Sequence, residues 1–132
     1  MKISTTAGYC LIAAGYIAQH SDDGTVLSTR ISKEHGIPLE YLLKILQAMV
    51  RANVLRSKRG PRGGFTLARP ANEITLLEII EAAGGPIASQ LELVQQTKKA
   101  PFSIEMEKVI TDATDKAASI LSKAKLSRMI GK

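Results

Sequence analysis

Residues 59–64 read Arg-Gly-Pro-Arg-Gly-Gly, and no regular helix can run through them. Three glycines and a proline in six positions allow backbone conformations closed to other residues and let the main chain approach a partner closely. On either side lies a short run, 54–58 and 64–68. In these runs Leu55 and Ser57, then Phe65 and Leu67, alternate with more polar neighbours. A period of two marks a half-buried strand. The spacing predicts a hairpin with Arg59 and Arg62 at its tip.

The remainder reads as helix. Aromatic residues make up 4% of the chain and Trp is absent, so the core must be aliphatic. Ser4 or Thr5 caps a first helix to about His20, with Ala7, Cys10, Leu11, Ala14, Ile17 and Ala18 on one face. After a turn at 21–24, Ser28 is expected to cap a short helix that puts Ile31 inward and ends at Gly36. A third helix starts at Pro38, where a missing N–H costs nothing. Leu39, Leu42, Leu46 and Met49/Val50 share its inner face, and Glu40, Tyr41, Lys44 and Arg51 point elsewhere. Two helices joined through Gly-Ile-Pro have helix-turn-helix spacing. A basic, glycine-rich hairpin directly after them reads as the wing of a winged helix; a solvated hairpin with incidental arginines is the plainer alternative.

Thr75 and Glu78 form a capping box, with Ile74 and Ile79 as a hydrophobic staple, for a fourth helix that runs to about Ala83 and stops at Gly84-Gly85-Pro86. Residues 86–102 are ambiguous: 87–94 reads equally as helix or loop, and a partly ordered connector is expected. Ser103 then caps a last helix to about Lys125, whose apolar residues Met106, Ile110, Ala113, Ala117, Ile120 and Ala124 step by four and three as an a/d seam. This seam predicts a homodimer, with docking on its own domain as the alternative. The expected architecture is mainly α: a winged helix-turn-helix domain (1–84), a connector or effector loop (85–102), and a dimerisation helix with a tail (103–132).

Charge is one-sided. Residues 1–70 hold ten bases against four acids and so carry the whole net charge of +6, and 51–69 hold six bases and no acid. Such a stretch suits a polyanion, since neutralising phosphates releases condensed counterions; a basic surface kept for solubility is the other reading. A single cysteine, Cys10, leaves no internal disulfide, CxxC pair or cysteine zinc site, and the two histidines, His20 and His35, are far apart. Cys10 lies on an apolar helix face without a neighbouring base to lower its pKa, which favours an inert core thiol over a redox sensor. No signal-peptide layout is seen, and the apolar run 10–18 is too short to span a bilayer, so a cytoplasmic protein without membrane contact is expected. No nucleophile–base pair, carboxylate dyad or phosphate loop points to an enzyme.

The stretches 1–4, 36–42, 59–65 with 67–70, and 74–80 resemble the Rrf-two family of bacterial winged-helix transcription regulators over about the first two thirds of the chain. The resemblance implies a homodimer that binds palindromic promoter DNA, usually as a repressor, and reads a small signal between the wing and the dimer helix. Two departures stand out. Cluster-bearing members carry three cysteines after the fourth helix, whereas residues 84–105 here hold none. No iron–sulfur cofactor is therefore expected, because a cluster needs thiolate ligands. Many relatives also have basic residues near the start of the first helix, where Thr5, Thr6 and Gly8 stand here, and this weakens phosphate contact there.

On this reading Glu40, Tyr41 and Lys44, in the first turns after Pro38, meet base edges or phosphates in the major groove. Leu43 offers a thymine-methyl contact or packs on the wing. Ser28 offers its hydroxyl and the helix-end N–H groups to a phosphate. Arg59 enters the minor groove, with Gly60, Gly63 and Gly64 allowing close approach, and Arg56, Lys58 and Arg62 hold phosphates. Glu40 accepts from a cytosine amino group or repels wrong sequences. An effector or partner protein would meet 85–102, whose Gln90, Glu92, Gln95, Gln96, Lys98 and Lys99 suggest no particular ligand. The rival from another class is a protein-interaction module that docks a partner protein through its basic face.

Overall fold

The computed structural model describes residues 2–60, 63–88 and 91–131. The first helix, α1 (Thr5–Gln19), is capped by Ser4, whose hydroxyl accepts from the Ala7 N–H at 3.1 Å. Alanine and glycine make it thin enough to be enclosed, and it packs chiefly on α4 (Leu76–Gly84), with α3 (Leu39–Arg51) beside it. Cys10, Ala13, Ala14 and Ile17 are fully buried there among Leu42, Leu46, Met49, Ile74 and Ile79.

The corner between α2 (Ser28–His35) and α3 is built locally. Gly36 closes α2 in the left-handed conformation, and the Ser32 hydroxyl donates to the Ile37 carbonyl at 2.6 Å. Ile31 and Ile37 plug the corner from within. Three sequence expectations need correcting here. Leu27, not Ser28, is the N-cap of α2, and it makes no side-chain cap bond; Ser28 is the first helical residue. Pro38 is the N-cap of α3 and stands one place before its first turn. Leu39 is 37% exposed, because its row passes the edge of the core at the first turn; Leu42, Ile45, Leu46 and Met49 form the inner face.

The hairpin follows as β1 (Leu55–Lys58) and β2 (Gly64–Leu67), antiparallel, with Leu55 opposite Leu67 and Ser57 opposite Phe65. Val26, just before α2, exchanges two backbone hydrogen bonds with Phe65 at 2.9 and 2.8 Å. This bridge ties the hairpin to the helix-turn-helix and leaves no trace in local periodicity.

Thr75 caps α4 by accepting from the Glu78 N–H at 3.1 Å, and Ile74 and Ile79 are both fully buried, as a staple requires. The Glu78 carboxylate, expected to complete the box, pairs instead with Arg69. A single-turn helix, α5 (Leu93–Gln96), interrupts the connector. The last long helix, α6 (Pro101–Lys123), begins at Pro101 with Ala100 as N-cap, so Ser103 is a buried residue of its first turn and not its cap. Proline at the first helical position is preset for a helix start. Beyond α6 the chain returns: Leu76 N–H donates to Ala124 O at 2.9 Å and Leu126 N–H to Ile74 O at 2.8 Å. This places α7 (Leu126–Met129) against α1 and puts Leu126 into the core. The segment expected as a tail is thus a docked single-turn helix.

Candidate nucleic-acid interface

The hairpin tip is held by glycine. The Gly63 N–H closes the tip onto Gly60 O at 2.9 Å. A Cβ on Gly63 would lie 2.5 Å from the Lys58 carbonyl oxygen, and one on Gly64, at φ 140, would lie 2.6 Å from that of Val26. Both contacts are impossible for a side chain, so the tip tolerates only glycine at these two positions. Thr25 Oγ1 donates to Gly63 O at 3.1 Å, which fixes the tip to the segment before α2.

Between this tip, the start of α2 and the face of α3 lies a cleft of about 480 Å³, with Ser28, Gln47, Lys58, Arg59, Gly60 and Gly63 on its walls. Ser28, Lys58, Arg59, Gly60, Gly63 and Gly64, picked out from sequence, are brought together here. Gln47 is an addition. It is exposed one turn beyond Leu43 and Lys44 on the crest of α3, in line with Glu40. The 3.6-residue period places it on that crest, two turns beyond Glu40 and so outside the first turns that the helix start singles out. Leu43 is 39% exposed beside it. Pro38 and Glu40 are exposed at the head of the crest.

The basic residues divide by role. Arg51, Lys58 and Arg59 are exposed and in no ion pair among the described residues. Arg56 is exposed and leans on Ala68 O at 3.5 Å. Arg69 faces inward to the scaffold: Nε donates to Asn53 O at 3.1 Å, Nη1 to Glu73 O at 3.0 Å, and Nη2 to Glu78. Arg62 lies outside the described residues, as do Pro61 and Gln90. Tyr41 does not share the wing cleft. Its hydroxyl is hydrogen-bonded to Thr6 Oγ1 and its ring stands edge-on to Tyr9 at 5.5 Å.

Comparison with known proteins decides the family. Residues 3–132 match the Rrf2 family model, described as an iron-dependent transcriptional regulator. This chain belongs to the Rrf2 (Rrf-two) family. It is 39% identical over 84 residues to the HTH-type transcriptional regulator IscR of Cereibacter sphaeroides, covering 62% of this chain and 54% of that protein. It thus spans about half the length of that relative. Among solved structures it resembles CymR, the global cysteine regulator of B. subtilis (TM-score 0.84, 24% identity, 99% and 97% of the two chains). It also resembles T. potens IscR (TM-score 0.74, 25% identity, 99% and 87%). The Rrf2 chain is accordingly a DNA-binding transcriptional regulator of winged-helix fold, in a family of regulators and not of enzymes.

Its donor set does not fit the iron chemistry of the family description. Segment 84–105 has no cysteine, and the described residues contain no group of three His, Cys, Asp or Glu placed to hold a metal. The one thiol, Cys10, is enclosed on α1, and burial pushes its pKa up to about 11, the reverse of a reactive thiolate. His20 and His35 lie against the same ring, Tyr16, stacked at 4.2 Å and edge-on at 5.5 Å. The connector makes a concavity of about 410 Å³ with Glu92, Gln95, Lys98, Lys99 and Glu107 on its rim. No helix of the described residues is long and apolar enough to cross a membrane.

The seam of α6 divides. Met106 (54%) and Ile120 (70%) are exposed with Ala113, whereas Ile110, Ala117 and Ala124 are half-buried on the near side. Phe102 and Val109 extend the exposed row, giving 102, 106, 109, 113 and 120 on one face.

Proposed function

We propose that this Rrf2 chain acts in the cytoplasm as a homodimeric, sequence-specific repressor that binds palindromic promoter DNA and carries no iron–sulfur cluster. The observation that carries it is the shared cleft, in which the start of α2, the crest of α3 and an arginine-tipped hairpin converge. The α3 crest (Glu40, Leu43, Gln47) enters the major groove with Lys44 on its flank, Arg59 lies in the adjoining minor groove, and Ser28, Arg56, Lys58 and Arg62 hold phosphates. Dimerisation rests on the apolar row of α6, which a lone chain leaves in water, with Met106, Ile110, Ala113, Ala117, Ile120 and Ala124 along or beside it. The absence of a cluster follows from the missing thiolates. The division into a DNA-binding unit (1–84), a connector that receives any effector or partner protein (85–102), and a dimerisation helix with its tail (103–132) belongs to the same proposal.

Selection of bound duplexes from a random library tests it. The expected product is an inverted repeat with half-sites about one helical turn apart. A reporter placed under that site should be silenced by the protein. Arg59→Ala should weaken binding by about 1–3 kcal/mol and relax preference at one position per half-site. Recovery of no enriched repeat, or an affinity indifferent to Arg59, overturns the reading.

A further inference from the structure

The flank of α3 beside the head of α1 and the end of α4 carries a second feature. Thr6, Tyr41, Lys44 and Arg51 surround a concavity of about 320 Å³, floored by Ala48 and Ala82. Two cations and no carboxylate line it among the described residues. Lys44 and Arg51 lie seven residues apart, two turns along the same side of α3, and neither is in an ion pair among the described residues. The Thr6–Tyr41 hydrogen bond joins the head of α1 to α3, and the Tyr9 ring braces Tyr41 from behind. One hydroxyl hydrogen of that pair is used between the two residues and the other is left to donate outward. A planar five-donor guanidinium, an ammonium and a hydroxyl around a small hollow are the donor set of one phosphodiester.

We propose that this hollow seats a backbone phosphate of the DNA strand opposite the one held by the wing cleft; the proposal rests on the DNA-binding reading above. The major groove is about 12 Å wide and a helix with its side chains is about 10–12 Å across. A helix lying in that groove therefore has a phosphate wall on each side. The cleft with Ser28 and Lys58 faces one wall, and the Arg51 hollow faces the other. The head of α1 lacks basic residues of its own, and here the cations are supplied to it from α3. The seat carries no sequence information; it fixes how deep and at what tilt α3 lies.

The test is fluorescence anisotropy of a labelled 30-base-pair duplex of random sequence, titrated between 50 and 200 mM KCl, with protein variants checked for an unchanged thermal midpoint. Binding to such a duplex is electrostatic, and each phosphate neutralised contributes about 0.9 to the slope of log K against log salt. Arg51→Gln should lower the slope by about 1 per protomer and weaken binding about three- to tenfold at the low-salt end. Lys44→Gln should do likewise, Arg51→Lys should keep the slope, and Tyr41→Phe should weaken binding without changing it. Inorganic phosphate at matched ionic strength should not compete. Unchanged slopes for both Arg51→Gln and Lys44→Gln overturn the seat, as does competition by millimolar phosphate, which would reassign the hollow to a free anion. A wild-type protein that shows no salt-dependent binding would instead sink the DNA-binding reading itself, so the two failures are distinct.

Discussion

The two longest helices are treated in opposite ways by the same fold. Of the fifteen residues of α1, seven are buried; of the twenty-three of α6, only Ser103 is. Apolar content is part of the difference: α1 has ten apolar residues in fifteen and no charged one, whereas α6 has ten in twenty-three alongside seven charged ones. α1 is lined with Ala and Gly, so neighbouring helices come close on several sides. On α6, Phe102, Met106, Val109 and Ile120 stand in water in the single chain. Apolar area left exposed forgoes roughly 25 cal/mol per Å², so α1 draws on burial along its whole length while α6 draws on it along one side only, against α4 and α5. On the dimeric reading proposed above, the other side of α6 is covered by a second copy.

The sharpest way to break this contrast is to truncate one isoleucine in each. Ile17→Ala, at a fully buried site, should cost about 2–5 kcal/mol in urea unfolding at any protein concentration. Ile120→Ala should leave the dilute chain's stability nearly unchanged and weaken association in sedimentation. Equal losses at high dilution would show that the two helices do not differ as described.

The next largest effect is alkaline. Native Cys10 holds its proton to about pH 11 against an ordinary value of 9.0. The native state therefore binds more protons than the unfolded state between these pH values, and stability must fall as pH rises. The contribution is intact below pH 9 and is lost by about pH 11, amounting to about 2–3 kcal/mol. Urea midpoints from pH 8 to 11 should decline more steeply for the wild type than for Cys10→Ala; parallel declines would mean the thiol is not enclosed.

The smallest effect concerns an arginine that looks like its DNA-facing neighbours. Arg69→Gln should cost about 1 kcal/mol, since its partners are partly exposed and solvent screens the pair. The salt slope of duplex binding should not change. A lowered slope would move Arg69 from the scaffold to the DNA face.

Much of the architecture was legible because its signals are local. Gly63 and Gly64 announce a tight tip, Gly36 and Pro38 a corner, and Thr75 with Ile74 and Ile79 a helix start. Each depends on backbone conformation or on neighbours within one turn. The missed features are long-range. The Val26–Phe65 bridge joins residues 39 apart, and the return of Leu126 to Ile74 spans 52. The false cap at Ser103 arose because two start signals, Pro101 and Ser103, stood close together, and proline's preset backbone prevailed.

By itself the chain's sequence determined where the backbone must turn, which of the longer stretches are helical, and that the first half carries all the excess positive charge. These follow from steric limits on glycine and proline and from periodicity, which act between near neighbours. Only the tertiary structure decided what each charge does. Arg51 and Arg69 are the same side chain in one basic stretch, yet one lines a hollow with Lys44 while the other fastens Asn53, Glu73 and Glu78 together. A guanidinium takes its role from the acceptors within its reach, and those come from elements that only folding brings alongside.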